Sequence, residues 1–194
     1  MKPRRKTRKR TPKRLPKKTR FFLVEGATEE TYVRYLQQIY KKSNRLMIYQ
    51  KSKLGKNIKE DIELIAEKIG VNTEDIILLY DLENDVIEYK KFIDDNTLIH
   101  PNTYLVQPCI EYHFLMHHKN FKVDPNKLRR QKETENELKT YLPRYKKGGK
   151  FSWVKNGIDR NEVELAKSRS LSSFKDYDQK SFSTIGRMIN DLFV

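Results

Sequence analysis

Phe21-Phe22-Leu23-Val24 is an apolar run that stops at Glu25 and Gly26, and from Thr28 onward the spacing becomes that of an amphipathic helix. A buried strand that ends this way carries an acid at its tip, with a glycine to turn the chain into the helix. The device recurs some fifty residues later. Ile76-Ile77-Leu78-Leu79-Tyr80 leads into Asp81, Glu83 and Asp85, three acids at alternate positions. In parallel α/β sheets, ligands and catalytic groups gather outside the carboxyl ends of the strands. Acids at two such ends meet if the strands are neighbours, so the two runs together predict an α/β fold with one acidic site.

The rest of the chain keeps the alternation of short apolar runs and amphipathic stretches that marks an α/β sheet flanked by helices. In the first helix Tyr32, Leu36, Ile39 and Tyr40 recur at helical spacing, and Glu29 and Glu30 complement its N-terminal dipole. A short strand is expected over 45–49, then a basic loop with Lys51, Lys53 and Lys56, then a helix over 57–69 ended by Gly70. The strand over 76–80 is apolar at every position, which places it centrally, covered on both faces. Further elements are expected as a helix over 86–93, a strand over 103–106 and a helix over 110–118. After these come helices over 125–142 and 161–170, and a terminal helix carrying Ile185, Met188, Ile189 and Leu192 behind a Ser183 or Thr184 cap. No internal repeat is visible. The division expected is a basic tail over 1–20, an α/β domain over 21–120 and a mainly helical C-terminal extension over 121–194 packed on it.

Charge is unevenly spread. The net charge is +15, but residues 1–20 hold twelve Lys or Arg and no acid, which leaves 29 basic against 26 acidic residues for the rest. With Pro3, Pro12 and Pro16 spaced through it, that segment has too little apolar surface to offset chain entropy and is expected to be disordered. Its natural partner is a polyanion, since such a tail attracts phosphate backbones without reading sequence. No apolar stretch approaches the roughly 18–20 residues that span a bilayer. The single cysteine, Cys109, excludes an intrachain disulfide, and with no apolar secretory leader a reducing cytoplasm fits.

Magnesium takes hard oxygen ligands and keeps several waters, so one or two carboxylates plus substrate phosphate suffice to hold it. Glu25, Asp81, Glu83 and Asp85 supply that chemistry, with Mg2+ or Mn2+ as the expected ion. The plain alternative is that acids after strands only cap helices or turns. Lys51, Lys53 and Lys56 suit a substrate backbone or a solvated charge run. Arg144, Lys146, Lys147 and Lys150, interleaved with Tyr145, Phe151 and Trp153, suit stacking on single-stranded bases, or the aromatics pack in the core. His113 and His117 are four apart on one helix, a spacing that binds zinc only when further ligands converge. A phosphate contact suits His113 better. Cys109 lacks a triad-like context and reads as a small buried residue.

Four segments in order carry a family resemblance. Val24-Glu25-Gly26-Ala27-Thr28-Glu29 with Tyr32 and Tyr35-Leu36, then Tyr80 to Asp85, Pro108-Cys109-Ile110-Glu111, and Ser183-Thr184-Ile185 together resemble RloB-like proteins. The resemblance implies a Toprim-like, Rossmann-like domain, prokaryotic anti-phage or abortive-infection defence, and an associated AAA-type ATPase. It further implies Glu25 as general acid or base, Asp81 and Glu83 as metal ligands, and Asp85 and Glu111 in support. The chain departs from the pattern at Glu83 (usually Asp), Gln107 (Asn), His113 (Trp) and Phe182 (Pro). The expected activity is metal-dependent cutting of DNA or RNA, tRNA included. The alternative is a non-catalytic nucleic-acid-binding or regulatory subunit working with the ATPase, and assembly of the chain with itself stays open.

Overall fold

Each apolar run becomes a strand. In the computed structural model, which describes residues 20–42, 46–50, 58–82, 102–124, 130–148, 158–175, 179 and 181–194, the strands are β1 (Arg20–Val24), β2 (Leu46–Gln50), β3 (Ile76–Asp81), β4 (Thr103–Gln107) and β5 (Phe182–Ser183). They form one sheet in the order β2-β1-β3-β4-β5. The first four are parallel and β5 runs antiparallel to β4. This is an α/β, mostly parallel, Rossmann-like layout. The expected helix over 86–93, the tail before Arg20, and Lys51, Lys53, Lys56, Glu83, Asp85, Lys150, Phe151 and Trp153 lie outside the described residues.

The helices are α1 (Ala27–Ile39), α2 (Ile58–Ile69), α3 (Ile110–Leu115), α4 (Gln131–Tyr141), α5 (Arg160–Ser173) and α6 (Ile185–Leu192). Side chains alternate across a strand, so each strand feeds two cores. Phe22, Val24, Ile77, Leu79, Tyr104 and Val106 face a large core shared with α1, α3, α4, α5 and α6. Leu23, Ile76 and Leu78 point the other way, onto Ile58, Ile62, Ile65 and Ala66 of α2. That two-sided burial is why β3 is apolar throughout. Leu138, Val163, Ala166 and Met188 sit in the same core as Phe22, so residues after 120 pack directly on the sheet. They also supply β5, a strand the helical pattern of that region concealed.

Thr184 stands at the N-cap position of α6 but makes no capping bond with its side chain. Its hydroxyl instead accepts from the Leu105 N–H at 2.7 Å and donates to the Leu105 carbonyl at 3.2 Å, and its own N–H donates to that carbonyl at 2.9 Å. The Arg187 guanidinium donates to the Thr103 carbonyl at 3.0 Å. Thr184 therefore anchors the terminal helix to the outer edge of β4, and of the two expected caps it is Ser183 that meets the helix start, its Oγ accepting from the Ile185 N–H at 3.2 Å.

α6 crosses α5 at Gly186. A Cβ there would stand 2.5 Å from the Lys167 carbonyl oxygen and 2.9 Å from Ser170 Oγ, while the Gly186 N–H donates to Ser170 Oγ at 3.0 Å. Backbone cannot yield as a flexible side chain can. Gly186→Ala is expected to cost about 1–3 kcal/mol by overpacking, seen as a lower urea midpoint at unchanged slope.

Candidate functional site

Three carboxylates from distant parts of the chain meet at the carboxyl end of the sheet. Asp81 ends β3, Glu29 lies in the first turn of α1 directly after β1, and Glu111 lies in the first turn of α3 directly after β4. Because β1, β3 and β4 are parallel neighbours, these three junctions share one edge of the sheet. All three residues are buried, at 4, 6 and 0% exposure for Glu29, Asp81 and Glu111. Gly26 makes room for the first, since a Cβ there would fall 2.4 Å from Glu29 Oε2.

Asp81 Oδ2 accepts from the Ile110 N–H at 3.0 Å, and the Glu29 carboxyl stands close enough to Asp81 for the two to influence each other's protonation. The Tyr145 hydroxyl donates to Glu111 Oε1. Thr28 stitches the segment after α4 to the start of α1, because its Oγ1 accepts from the Gly148 N–H at 3.0 Å and its side chain also bonds Tyr145. The Cys109 thiol bonds Glu111, and burial together with the neighbouring carboxylates pushes it far up, so it is an inert thiol rather than a nucleophile.

Burial pushes the Glu29 carboxyl up, and the Glu111 charge adds to the shift. Burial, then Glu29 and Glu111, hold Asp81 well above the usual carboxylate range. Lys147 is the opposing charge. Partial burial alone would depress its ammonium, but Glu111 and Asp81 more than offset that and hold it raised. Lys147 Nζ also lies 3.7 Å from Glu135 Oε1.

One oxygen of each buried carboxylate, Glu29 Oε2, Asp81 Oδ1 and Glu111 Oε2, has no hydrogen-bond partner. Such oxygens are costly unless something positive meets them. Among the described residues no three His, Cys, Asp or Glu side chains already stand at metal-ligating geometry. The donor set still fits a hard divalent cation in kind, being all oxygen, anionic and short of positive charge.

Asp81, Glu111 and Lys147 are thus brought together as candidates. Glu25 is partly buried at the β1–α1 turn and makes contacts of its own, and the groups acting on Asp81 are, in order, Glu29, Glu111, the Ile110 N–H and Lys147. Arg144 and Lys146 are exposed, and so is Lys147, which nonetheless lies within the field of Glu111 and Asp81. His113, expected at a nucleic-acid surface, is fully buried instead, because its face of α3 is the core face. Its Nε2 is 3.1 Å from the Tyr32 hydroxyl and its Nδ1 is 3.0 Å from Ser183 Oγ, so both ring nitrogens are engaged inside the protein. Glu29 was missed as a site residue. Its signal is Gly26 three residues earlier, a missing side chain over which a longer one folds back.

Fold and site together define an α/β protein with a buried carboxylate cluster and one lysine at the carboxyl edge of a parallel sheet. No family model matches the chain, and no curated protein or solved structure does so either. No helix among the described residues is long and apolar enough to cross a membrane.

Proposed function

We propose that this chain is a divalent-metal-dependent phosphodiester hydrolase of Toprim type that cuts DNA or RNA, in the prokaryotic defence setting that its RloB-like motifs imply. The observation that carries the reading is the trio of buried, unpartnered carboxylate oxygens on Glu29, Asp81 and Glu111 at the carboxyl edge of the sheet. The twelve cations in the first twenty residues favour a polyanionic substrate.

Glu29, Asp81 and Glu111 are the side chains that would hold the cation. When bound, such an ion polarises a phosphoryl oxygen and lowers the pKa of an attacking water. Ile110 fixes Asp81 through its N–H, and Tyr145 fixes Glu111, so two of the three acids are oriented in advance. The Glu29–Asp81 pair holds a proton more tightly than either acid alone in water, and the member that releases it is the general base. Lys147, partly exposed and drawn on by Glu111 and Asp81, would bind a phosphate oxygen and stabilise the charge that develops on it.

Total tRNA, single-stranded RNA and plasmid DNA, each incubated with Mg2+ or Mn2+ and with EDTA as control, test the reading. Wild type is expected to cut at least one of them, and Glu29→Gln, Asp81→Asn and Glu111→Gln to lower the rate by about 100-fold or more with circular dichroism unchanged. Cutting that persists in all three variants would overturn the assignment of the site. Binding without cutting would favour the regulatory subunit that works with an AAA-type ATPase.

A further inference from the structure

A second constellation lies at the far end of α1. A cleft of about 380 Å³ opens between the C-terminus of α1, the first turns of α5 and the end of α6, lined by Tyr40, Lys41, Arg160, Glu164, Lys167 and Phe193 among others. Glu29 lies in the first turn of α1 and Tyr40 directly after its end, eleven residues on, a distance of about 17 Å at 1.5 Å per residue. The cleft is a different site from the carboxylate cluster.

The cleft is built. The Tyr40 hydroxyl donates to Glu164 Oε1 at 2.6 Å, and Lys167 Nζ meets Glu164 Oε2 at 2.5 Å, so the one acid fixes both neighbours. The Arg160 guanidinium lies over the Tyr40 ring, 5.5 Å from its centroid, and Phe193 backs that ring at 5.8 Å. Among the side chains that line it, three cations face one anion.

Lys41 is the unusual member. Its φ of 53° is left-handed, and the Lys42 N–H donates to the Gln37 carbonyl at 2.9 Å while the Lys41 N–H donates to Gln38 at 3.3 Å. These are the two bonds of a Schellman ending, whose left-handed position is normally glycine. A lysine there carries backbone strain, and strained residues gather where a side chain is used. A cation also complements the carbonyl end of a helix, so the strain alone does not separate a ligand role from a structural one. The cleft around it supplies the second observation.

We infer that this cleft binds a nucleoside phosphate, either a free nucleotide or the phosphorylated end of a nucleic-acid strand. Lys41 and Lys167 meet the phosphate. The guanidinium plane of Arg160, supported from behind by Tyr40, takes the base by stacking, as arginine does with unpaired bases. The volume is at the small end of ligand pockets, which suits one nucleotide and leaves little space for a second. The inference does not depend on the chemistry at Glu29, Asp81 and Glu111.

Calorimetry in EDTA with AMP, ATP and inorganic phosphate, and anisotropy with a 5′-phosphorylated single-stranded oligonucleotide against its unphosphorylated twin, provide the test. AMP or ATP is expected to bind if the source is a free nucleotide, and a preference for the phosphorylated twin is expected if it is a strand end. Because the basic segment before Phe21 would also favour the more highly charged twin, the preference is read as the part that Lys41→Gly and Arg160→Ala abolish. Lys41→Gly and Arg160→Ala should each weaken that binding at least tenfold, with the melting midpoint of Lys41→Gly equal to or above wild type. Lys41→Asn, which tolerates the same backbone without the charge, should behave like Lys41→Gly. The inference is overturned by no binding of any nucleoside phosphate at millimolar concentration, by inorganic phosphate binding as tightly as AMP or ATP, or by full affinity in Lys41→Gly and Arg160→Ala.

Discussion

Asp81→Asn is expected to make the metal-free protein more stable while it removes cation-dependent activity. The side chain is buried, and its ionised form is disfavoured first by burial and then by Glu29 and Glu111. An asparagine keeps an oxygen for the Ile110 N–H and turns an amide donor toward Glu29. Removing one charge from an under-compensated buried cluster commonly stabilises by about 1–2 kcal/mol, which for a chain of this size is a rise of about 2–8 °C in melting midpoint. The sign of the pH dependence follows. Asp81 and Glu29 have folded-state values raised above the unfolded ones, so the stability linked to them is present at low pH and is lost as pH rises through the folded values. The advantage of the variant is therefore largest at pH 9 and shrinks toward pH 5. Denaturation of both proteins in EDTA across that range decides the matter, and a variant less stable than wild type at pH 9 would refute the picture of strained, uncompensated acids.

Tyr32→Phe is expected to cost more than any other single atom in the core. The hydrogen bonds around Tyr32 admit one consistent assignment. The Ile185 N–H donates to Ser183 Oγ, and Ser183 donates to His113 Nδ1. His113 Nε2–H then donates to the Tyr32 oxygen, Tyr32 donates to His117 Nε2, and His117 Nδ1–H donates to the His113 and Phe114 carbonyls. Both imidazoles are neutral in this scheme, and burial pushes both down, His117 to about 3. Phenylalanine strands a donor on one ring and an acceptor on the other, each costing about 1–3 kcal/mol, for a loss of roughly 2–5 kcal/mol at pH 7.5. A loss under about 1 kcal/mol, measured by urea denaturation, would show the network to be unimportant. Because the two histidines are depressed in the folded state, their contribution is complete above pH 6.5 and falls below it. The slope is about 1.4 kcal/mol per pH unit for each. The acids Glu29 and Asp81 act in the opposite sense over part of that range, so the slope should steepen in Asp81→Asn.

What was legible in the sequence was local. The apolar runs that end in acids located β1 and β3, and Asp81 followed from the run itself. Glu111 followed from motif order. Glu29 did not, because an acid in a first helical turn already has an ordinary explanation in the helix dipole, and only the fold shows it turned over Gly26 toward Asp81. Lys147 was visible merely as one cation of a run, and what marks it out is its electrostatic attraction to residues 36 and 66 positions earlier in the chain, Glu111 and Asp81. His113 misled for the same reason. Its partners, Tyr32 and Ser183, are 81 and 70 residues away, and a polar residue in a helical pattern gives no sign that the core holds partners for it. β5 is two residues long, too short for periodicity to register.

The anchoring of α6 on β4 bears on how copies of this chain can meet. An open strand edge is a template on which another molecule can add a strand of its own. On β4 that row is closed, since Thr103 is taken by Arg187, Leu105 by Thr184, and Gln107 pairs with Phe182 in β5. Self-association by sheet extension is barred on this flank, and the two-residue β5 outside it offers a newcomer scarcely any ladder. A fibril or a strand-swapped dimer growing from this flank would first have to lift the last helix away, so the same bonds that seat α6 also guard the β4 side of the sheet against polymerising.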